Sequence, residues 1–554
     1  MSNTWNSSAP YDESIPVLIV GGSLIGLSMA LFLSRQGIRS ILVERHPGTS
    51  IHPRVASLTA RTMEIFRAVG AESSIRRFEP AFSMDSSVPL AKSLVGEQFD
   101  NLMEDFSAYF TPASPVHGSL IAQDVLEKVL LELTAQAGGE IRYRTELVDF
   151  EQDEEGITAT IRDSNSGESR RVRASFLVAA DGSRSGIRKQ LGIGHHGKGS
   201  LGHFISILFE SVESAQLMKL FREREAVMYF LANDTVKGAL TPYAGSEARS
   251  DIFRLDIGYD PEKETLADYP EERCLPLVQA AIGIPDFPVQ IKTLLPWEMA
   301  ARVSDRFQQG RVFLVGDAAR AQPPSGALGG NTGIAEAQNL AWKLASVLRG
   351  ESDIRFLDTY DAERRALADY TVEQVIMLSQ QRHSVGSKGI TVNTLEINMG
   401  YRYSKGAIVP EEDEDLPLVQ NPQRWTGQPG TRAPHITLES QGKQISSLDL
   451  FGEHFVLLVG PDGQKWLDAA QRTKDALQLS LDIYRIGDSN EGDFIDCEKA
   501  FCQAYGVTAT GAVIVRPDGY IGWRSRKTEE KAQNPEQVLT QALSTLLFRE
   551  ARTS

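Results

Sequence analysis

"SIPVLIVGGSLIGLSMALFLSRQGIRSILVER", residues 14–45, reads as strand, tight turn, helix and strand. The run Pro16 to Val20 is too short for a helix and stops at Gly21 and Gly22. Apolar residues then return at helical spacing from Ile25 to Leu33, and Gly37 ends the helix. A second apolar strand closes at Glu44, which completes a βαβ opening. The turn is Gly21-Gly22-Ser23-Leu24-Ile25-Gly26. A dinucleotide fingerprint has glycine at its first, third and sixth places: for the turn, for amide approach to a pyrophosphate, and for helix–strand packing. Ser23 holds the third place, a small addition that a modest shift accommodates. An ordinary glycine turn would explain this hexapeptide alone. Glu44, followed by Arg45, lies about eighteen residues on, where a carboxylate accepts ribose hydroxyls and disfavours a 2′-phosphate. The nucleotide expected here is the adenosine half of FAD rather than NADP.

The chain has 554 residues, enough for two to four domains. Hydrophobic residues make 41% and charged residues 23%, as in ordinary globular proteins. The formal charge, 57 − 73 = −16, argues against nucleic acid or an anionic membrane as main partner. No apolar run reaches about 18 residues, so no membrane span is expected. The polar start "MSNTWNSSAPYDES" lacks the pattern of a secretory signal. Cys274, Cys497 and Cys502 exclude a disulfide framework and suit a reducing, cytoplasmic setting; they are expected to be buried, inert thiols. No metal-ligand spacing is present, and no metal is expected.

The fold class expected is α/β. A polar lead-in (1–14) precedes a Rossmann-like unit in two pieces (15–195 and 300–400), with helices near 58–69, 122–137 and 331–385. A mixed sheet (196–299) is inserted between the pieces, its strands read from "HFISILFE", "AVMYFLA" and "DIFRLDIGY". A Pro-, Gly- and acid-rich linker (401–432) leads to a smaller α/β domain (433–554).

Two further motifs narrow the reading. Asp181-Gly182-Ser183-Arg184-Ser185-Gly186-Ile187-Arg188 follows the strand "FLVAA"; as a bare Asp-Gly it would be a common turn. "RVFLVGDAARAQPPSGALGGNTGIAEAQNLAWKL" runs from a strand through Gly-Asp, two prolines and a glycine cluster into a helix. With all three in this order, the chain resembles the FAD-dependent aromatic hydroxylases, the p-hydroxybenzoate hydroxylase-like (class A) flavoprotein monooxygenases. The resemblance implies that Asp317 binds the ribityl chain and that Pro323 and Pro324 lie on the substrate side of the flavin. It also implies that Gly329, Gly330 and Asn331 present backbone amides to the ring. Asp181 belongs to the second FAD motif, Gln123 matches a glutamine contacting the ribityl or phosphate, and Arg54 an arginine near flavin and substrate. Thr59 stands two places before Arg61 where relatives often have Asn. Arg320 follows Gly-Asp-Ala-Ala where many have His, which puts a His-based proton relay in doubt. The tail, with "DLFGEHFVLLVG" and "YGVTATGAVIVRPDGYIGWR", is similar to the thioredoxin-like domain of phenol and polyketide hydroxylases; lacking Cys-x-x-Cys, it is expected to be structural or part of an interface.

The chemistry implied is reduction of FAD by NADPH or NADH, then reaction with O2 to a C4a-hydroperoxide that hydroxylates a phenol. Fixed charge at Arg54 would lower a phenol pKa, and Tyr229, on a strand of the middle sheet, is the second catalytic candidate, though a strand tyrosine is more often core or wall. His52 and His117 are equally open candidates. The apolar strands at 203–258 suggest a bulky aromatic substrate, and the resemblance of the tail implies a polycyclic or polyketide-type phenol. Baeyer–Villiger or epoxidising oxygenation, an oxygen-independent flavin reductase, and a non-catalytic binder stay open at this stage. So does the oligomeric state, with a homodimer as default.

Overall fold

A computed structural model gives the structure at residues 11–50, 57–79, 87–101, 106–242, 252–382, 392–411, 416–488, 492–526 and 534–549. The quoted stretch folds as read: strand β1 (Glu13–Val20), helix α1 (Leu24–Arg35) and strand β2 (Ser40–Glu44). β1 is central in an eight-stranded sheet, parallel to β2 on one side and to Ser169–Ala179 on the other. Val312–Leu314 extends the parallel set beyond Ser169–Ala179, and Glu140–Tyr143 extends it beyond β2. Val17, Leu18 and Ile19 are wholly buried, because helices cover both faces of a parallel sheet and leave no polar alternation. The hairpin expected near residue 153 joins Thr145–Gln152 to Ile157–Asp163.

The long helical stretch divides into Leu328–Leu348 and Asp358–Arg382. Gly350, at φ +73°, ends the first helix, since a left-handed residue cannot continue it. The same helix starts at Leu328, so Gly329, Gly330 and Asn331 form its first turn.

The second sheet also has eight strands, ordered Arg320–Ala321, Gln290–Ser304, His195–Glu210, Ile252–Tyr259, Lys237–Pro242, Tyr229–Ala232, Pro89–Ala91 and Gln98–Asn101. It thus draws strands from outside 196–299. Those additions are only two to four residues long, too short for a readable period. One edge strand, Arg320–Ala321, lies inside the Gly-Asp motif itself.

The third sheet has seven strands. Phe455–Val459 and Leu481–Gly487 are parallel and joined through helix Gln464–Leu477; the antiparallel hairpin Ala512–Val515/Ile521–Ser525 follows, then helix Pro535–Leu546. This is the thioredoxin-like arrangement. Cys274 is buried, but Cys502 is half-buried and Cys497 exposed, which corrects the expectation that all three are buried. Most of the segment read as a linker is pinned rather than loose. Tyr403 and Trp425 are buried, and the Trp425 indole donates to the Gly400 carbonyl at 2.8 Å. Among the described residues no helix is long and apolar enough to cross a membrane.

Candidate functional site

The carboxyl ends of β1, β2, Ser169–Ala179 and Val312–Leu314 share one edge of the first sheet, the edge where open α/β sheets bind ligands. Strand order, not strand direction, reverses at β1, with β2 on one side and Ser169–Ala179 on the other, and there the backbones nearly touch. A Cβ on Gly21, whose φ is +109°, would fall 2.3 Å from the Ala180 oxygen; one on Gly26 would fall 1.8 Å from the Gly21 oxygen. Glycine is therefore required at the first and sixth places. Ser23 donates to Glu127 Oε1 at 2.7 Å and accepts from the Gln123 amide at 2.9 Å. Glu127 also accepts from Gln123 (2.7 Å) and from the backbone amides of Leu24 (2.8 Å) and Ser50 (2.6 Å). Burial pushes the Glu127 carboxyl above its usual range, against these hydrogen bonds. Nothing in the sequence singled it out except its place one helical turn after Gln123. At the end of β2, Glu44 accepts from the amides of Gly22 (2.6 Å) and His46 (2.8 Å), while Arg45 is exposed.

Asp181 and Asp317 complete the row. Asp181 Oδ2 accepts from the Ile187 amide at 3.2 Å, and its buried Oδ1 has no hydrogen-bond partner among the described residues. Arg188 ties the two motifs together, donating to the carbonyls of Ser183 (3.3 Å) and Ala318 (3.2 Å); burial lowers its pKa although Asp181 opposes that. Asp317 is the exposed residue in the otherwise buried run 312–320. Arg320 is wholly buried and donates to Glu336 (2.8 Å), Gln322 (3.0 Å) and the Gly329 carbonyl (3.1 Å). It braces the glycine loop from behind, a structural task rather than a proton relay. Pro323 is buried and Pro324 exposed.

The helix Leu328–Leu348 begins with no side-chain cap and no acidic residue in its first turn, so its positive end is uncompensated. A Cβ on Gly329 would meet nothing within 4 Å. Asn331 uses its side chain inward: it accepts from the Thr59 amide (3.0 Å) and the Thr62 hydroxyl (2.6 Å) and donates to the carbonyls of Ser57 (3.2 Å) and Ala327 (2.7 Å). Its side chain fixes the loop, leaving only its backbone for a ligand. A free helix end, open space over Gly329, an outward Asp317 and Glu44 at the far side suit a dinucleotide ending in a flat, electron-accepting ring.

Residues 14–375 match the family described as FAD binding domain, and residues 426–548 the aromatic-ring hydroxylase C-terminal domain. The chain belongs to the FAD-dependent aromatic hydroxylases. Across 554 aligned positions it is 39% identical to 4-methyl-5-nitrocatechol 5-monooxygenase of a Burkholderia species, covering 98% of this chain and 99% of the relative. Aklavinone 12-hydroxylase RdmE of Streptomyces purpurascens is 36% identical over 549 residues, with 97% and 100% covered. The structure of aklavinone-11 hydroxylase with FAD and aklavinone superposes with a TM-score of 0.87 at 35% identity, covering 97% and 100%. The protein is an FAD monooxygenase with O2 and NAD(P)H as co-substrates. Bound FAD supplies the electron transfer and oxygen activation; the hydroxylase chain must hold it, place the aromatic ring and exclude water.

The middle sheet of this hydroxylase has two unlike faces. Tyr229, Leu240, Leu255, Ile207 and Leu294 form one cross-strand row, under helices Ser214–Glu223 and Glu271–Ile282. Tyr229 is 0% exposed and stands edge-on to Phe221 at 5.1 Å; burial raises its phenol pKa. That corrects its selection as a catalytic residue: it is core. One residue along, Phe230 begins the opposite row, with Ala239, Asp256, Ser206 and Leu295, on a less buried face. Arg54 and His52 lie outside the described residues. His117 is exposed and stacks on Phe110 at 5.8 Å, with Arg76 donating to its carbonyl. Arg61 is occupied by Glu64 (3.0 Å) and the Asp518 carbonyl (3.0 Å), at the junction with the C-terminal domain.

Proposed function

We propose that this hydroxylase acts on a phenolic, fused-ring aromatic of the polyketide type, bound between the glycine loop and the less buried face of the middle sheet. The observation that carries the reading is that face itself: a broad wall of mixed aromatic and polar residues, joined through Arg320–Ala321 to the loop that meets the flavin. Full-length likeness to aklavinone hydroxylases supports it. In this reading Glu44 takes the ribose hydroxyls, and Gly21, Gly22, Ser23 and Gly26 with the first turn of α1 take the pyrophosphate. Gln123, Asp181 and Asp317 line the path of the ribityl chain. The amides of Gly329, Gly330 and Asn331 stabilise negative charge on the reduced ring, and Pro324 walls the substrate side. Arg54 would lower the substrate phenol pKa by its charge.

The nitrocatechol relative, acting on a single ring by its name, favours a second reading with a monocyclic phenol. Substrate-stimulated NADPH oxidation across phenols of one to four rings separates the two. Stimulation that rises with ring number, with one atom of labelled O2 in the product, supports the fused-ring reading. Stimulation confined to single rings refutes it.

A further inference from the structure

On the less buried face of the middle sheet, three adjacent strands present a connected set of side chains. Phe204 and Trp297 are cross-strand neighbours stacked at 4.7 Å with 19° between their planes. The Trp297 indole donates to the Ser206 hydroxyl at 3.1 Å. Ser206 in turn donates to Asp256 Oδ1, directly across the ladder. Arg254, on the same strand and face, pairs with Asp256 Oδ2 at 3.0 Å. Each link fixes the next: one ring holds the other, the indole sets the serine rotor, and the serine and arginine orient the carboxylate.

This arrangement does not stabilise a dry core. The Asp256 and Arg254 side chains keep 12% and 22% of their exposure, whereas the row on the opposite face is sealed under helices. Leu208, cross-strand from Arg254, belongs to the core cluster of the first sheet, so this face looks toward the FAD-binding unit. A carboxylate offers about four acceptor positions; Ser206 takes one on Oδ1, and Arg254 pairs with Oδ2 by charge. Across the next ladder rung from Arg254, the Thr241 hydroxyl is buried without a hydrogen-bond partner among the described residues. A buried unpaired hydroxyl is costly unless a ligand completes it.

We propose that Asp256 accepts a hydrogen bond from a hydroxyl group of the substrate, that Ser206 and Trp297 position it, and that Thr241 provides a second polar contact. The proposal rests on the fused-ring reading above and adds the polar group that orients the rings. A site built around such an acceptor rejects an analogue lacking the hydroxyl far more strongly than an apolar pocket would.

The test uses the full-length, FAD-loaded protein and two probes, 2,6-dihydroxyanthraquinone and unsubstituted anthraquinone, with binding read from flavin fluorescence. The wild type is expected to prefer the dihydroxy compound by about tenfold or more. Asp256→Asn should bring the ratio close to one, by weakening the hydroxylated probe only, with flavin content unchanged. Ser206→Ala should lower the ratio and Ser206→Thr restore it, a rescue that a merely structural serine would not show. Thermal midpoints confirm folding; should Asp256→Asn fail to fold, the Ser206 pair carries the same test. An unchanged ratio in Asp256→Asn, or in Ser206→Ala, overturns the proposal and leaves the fused-ring reading intact. A wild type that binds neither quinone but binds monocyclic phenols overturns the fused-ring reading, and the proposal with it.

Discussion

Asp317 stands out by exposure, because every neighbour in 312–320 is buried. That exposure is what the proposed contact with the ribityl chain requires. Asp317→Ala is expected to weaken FAD retention by roughly ten- to a hundredfold, the worth of a hydrogen bond to a charged group. Flavin absorbance after dialysis reads the result; a fully yellow variant removes Asp317 from the site. Glu127 differs in kind, since it satisfies donors from Ser23, Leu24, Ser50 and Gln123 at the start of α1. Glu127→Ala strands those donors at about 1–3 kcal/mol each when buried. It should lower urea stability by several kcal/mol on that scale and lose FAD, with Glu127→Gln much milder. Equal damage from both would show that charge, not hydrogen bonding, is what Glu127 provides.

Helix Leu328–Leu348 carries strain where it meets the loop. Its N-cap, Ala327, sits at φ 54° and ψ 28°, a left-handed conformation that costs a residue with a Cβ about 1–2 kcal/mol. Ala327→Gly should raise unfolding stability by up to about 1 kcal/mol, since glycine relieves the strain but adds freedom to the unfolded chain. A clear loss of stability in urea would mean that the methyl packs usefully. The sequence displayed those elements whose cause is local. β1, the Gly21–Gly26 turn, α1 and β2 follow from apolar spacing and glycine alone. What it hid depends on pairing over distance. Period-two alternation shows that Tyr229 and Phe230 face opposite ways but not which face is sealed, and Tyr229 lies on the one that helices cover. Ser206 lies 50 residues from Asp256 and 91 from Trp297 in sequence, and the three become one network only in the sheet.

At the scale of the molecule, the C-terminal domain is fastened to the FAD-binding unit through buried charge. Arg516, at the hairpin turn, donates to both oxygens of Glu363 at 2.9 Å and reaches Asp518 at 3.0 Å. Lys343, on helix Leu328–Leu348, pairs with the same Glu363 at 2.8 Å. The two partners shift in unlike ways. Burial would raise the Glu363 pKa, but Arg516 and then Lys343 outweigh it and hold the carboxyl at about 2. For Lys343, burial dominates, one shared carboxylate does not offset it, and Arg516 repels it, so the ammonium falls to about 8. Above about 8 the folded chain has shed a proton that the unfolded chain keeps up to the usual 10.5, so unfolding takes up a proton and stability rises with pH across that window. Other titrating groups contribute a background that a variant shares. The difference in urea stability between wild type and Lys343→Met should therefore shift toward the wild type between pH 8 and 10.5 and stay flat from pH 6 to 7.5. Lys343→Met is expected to fold, because Arg516 still neutralises Glu363 and methionine suits the dry site. Parallel pH profiles for the two proteins would falsify the idea that this lysine is held at the junction as a reluctant cation.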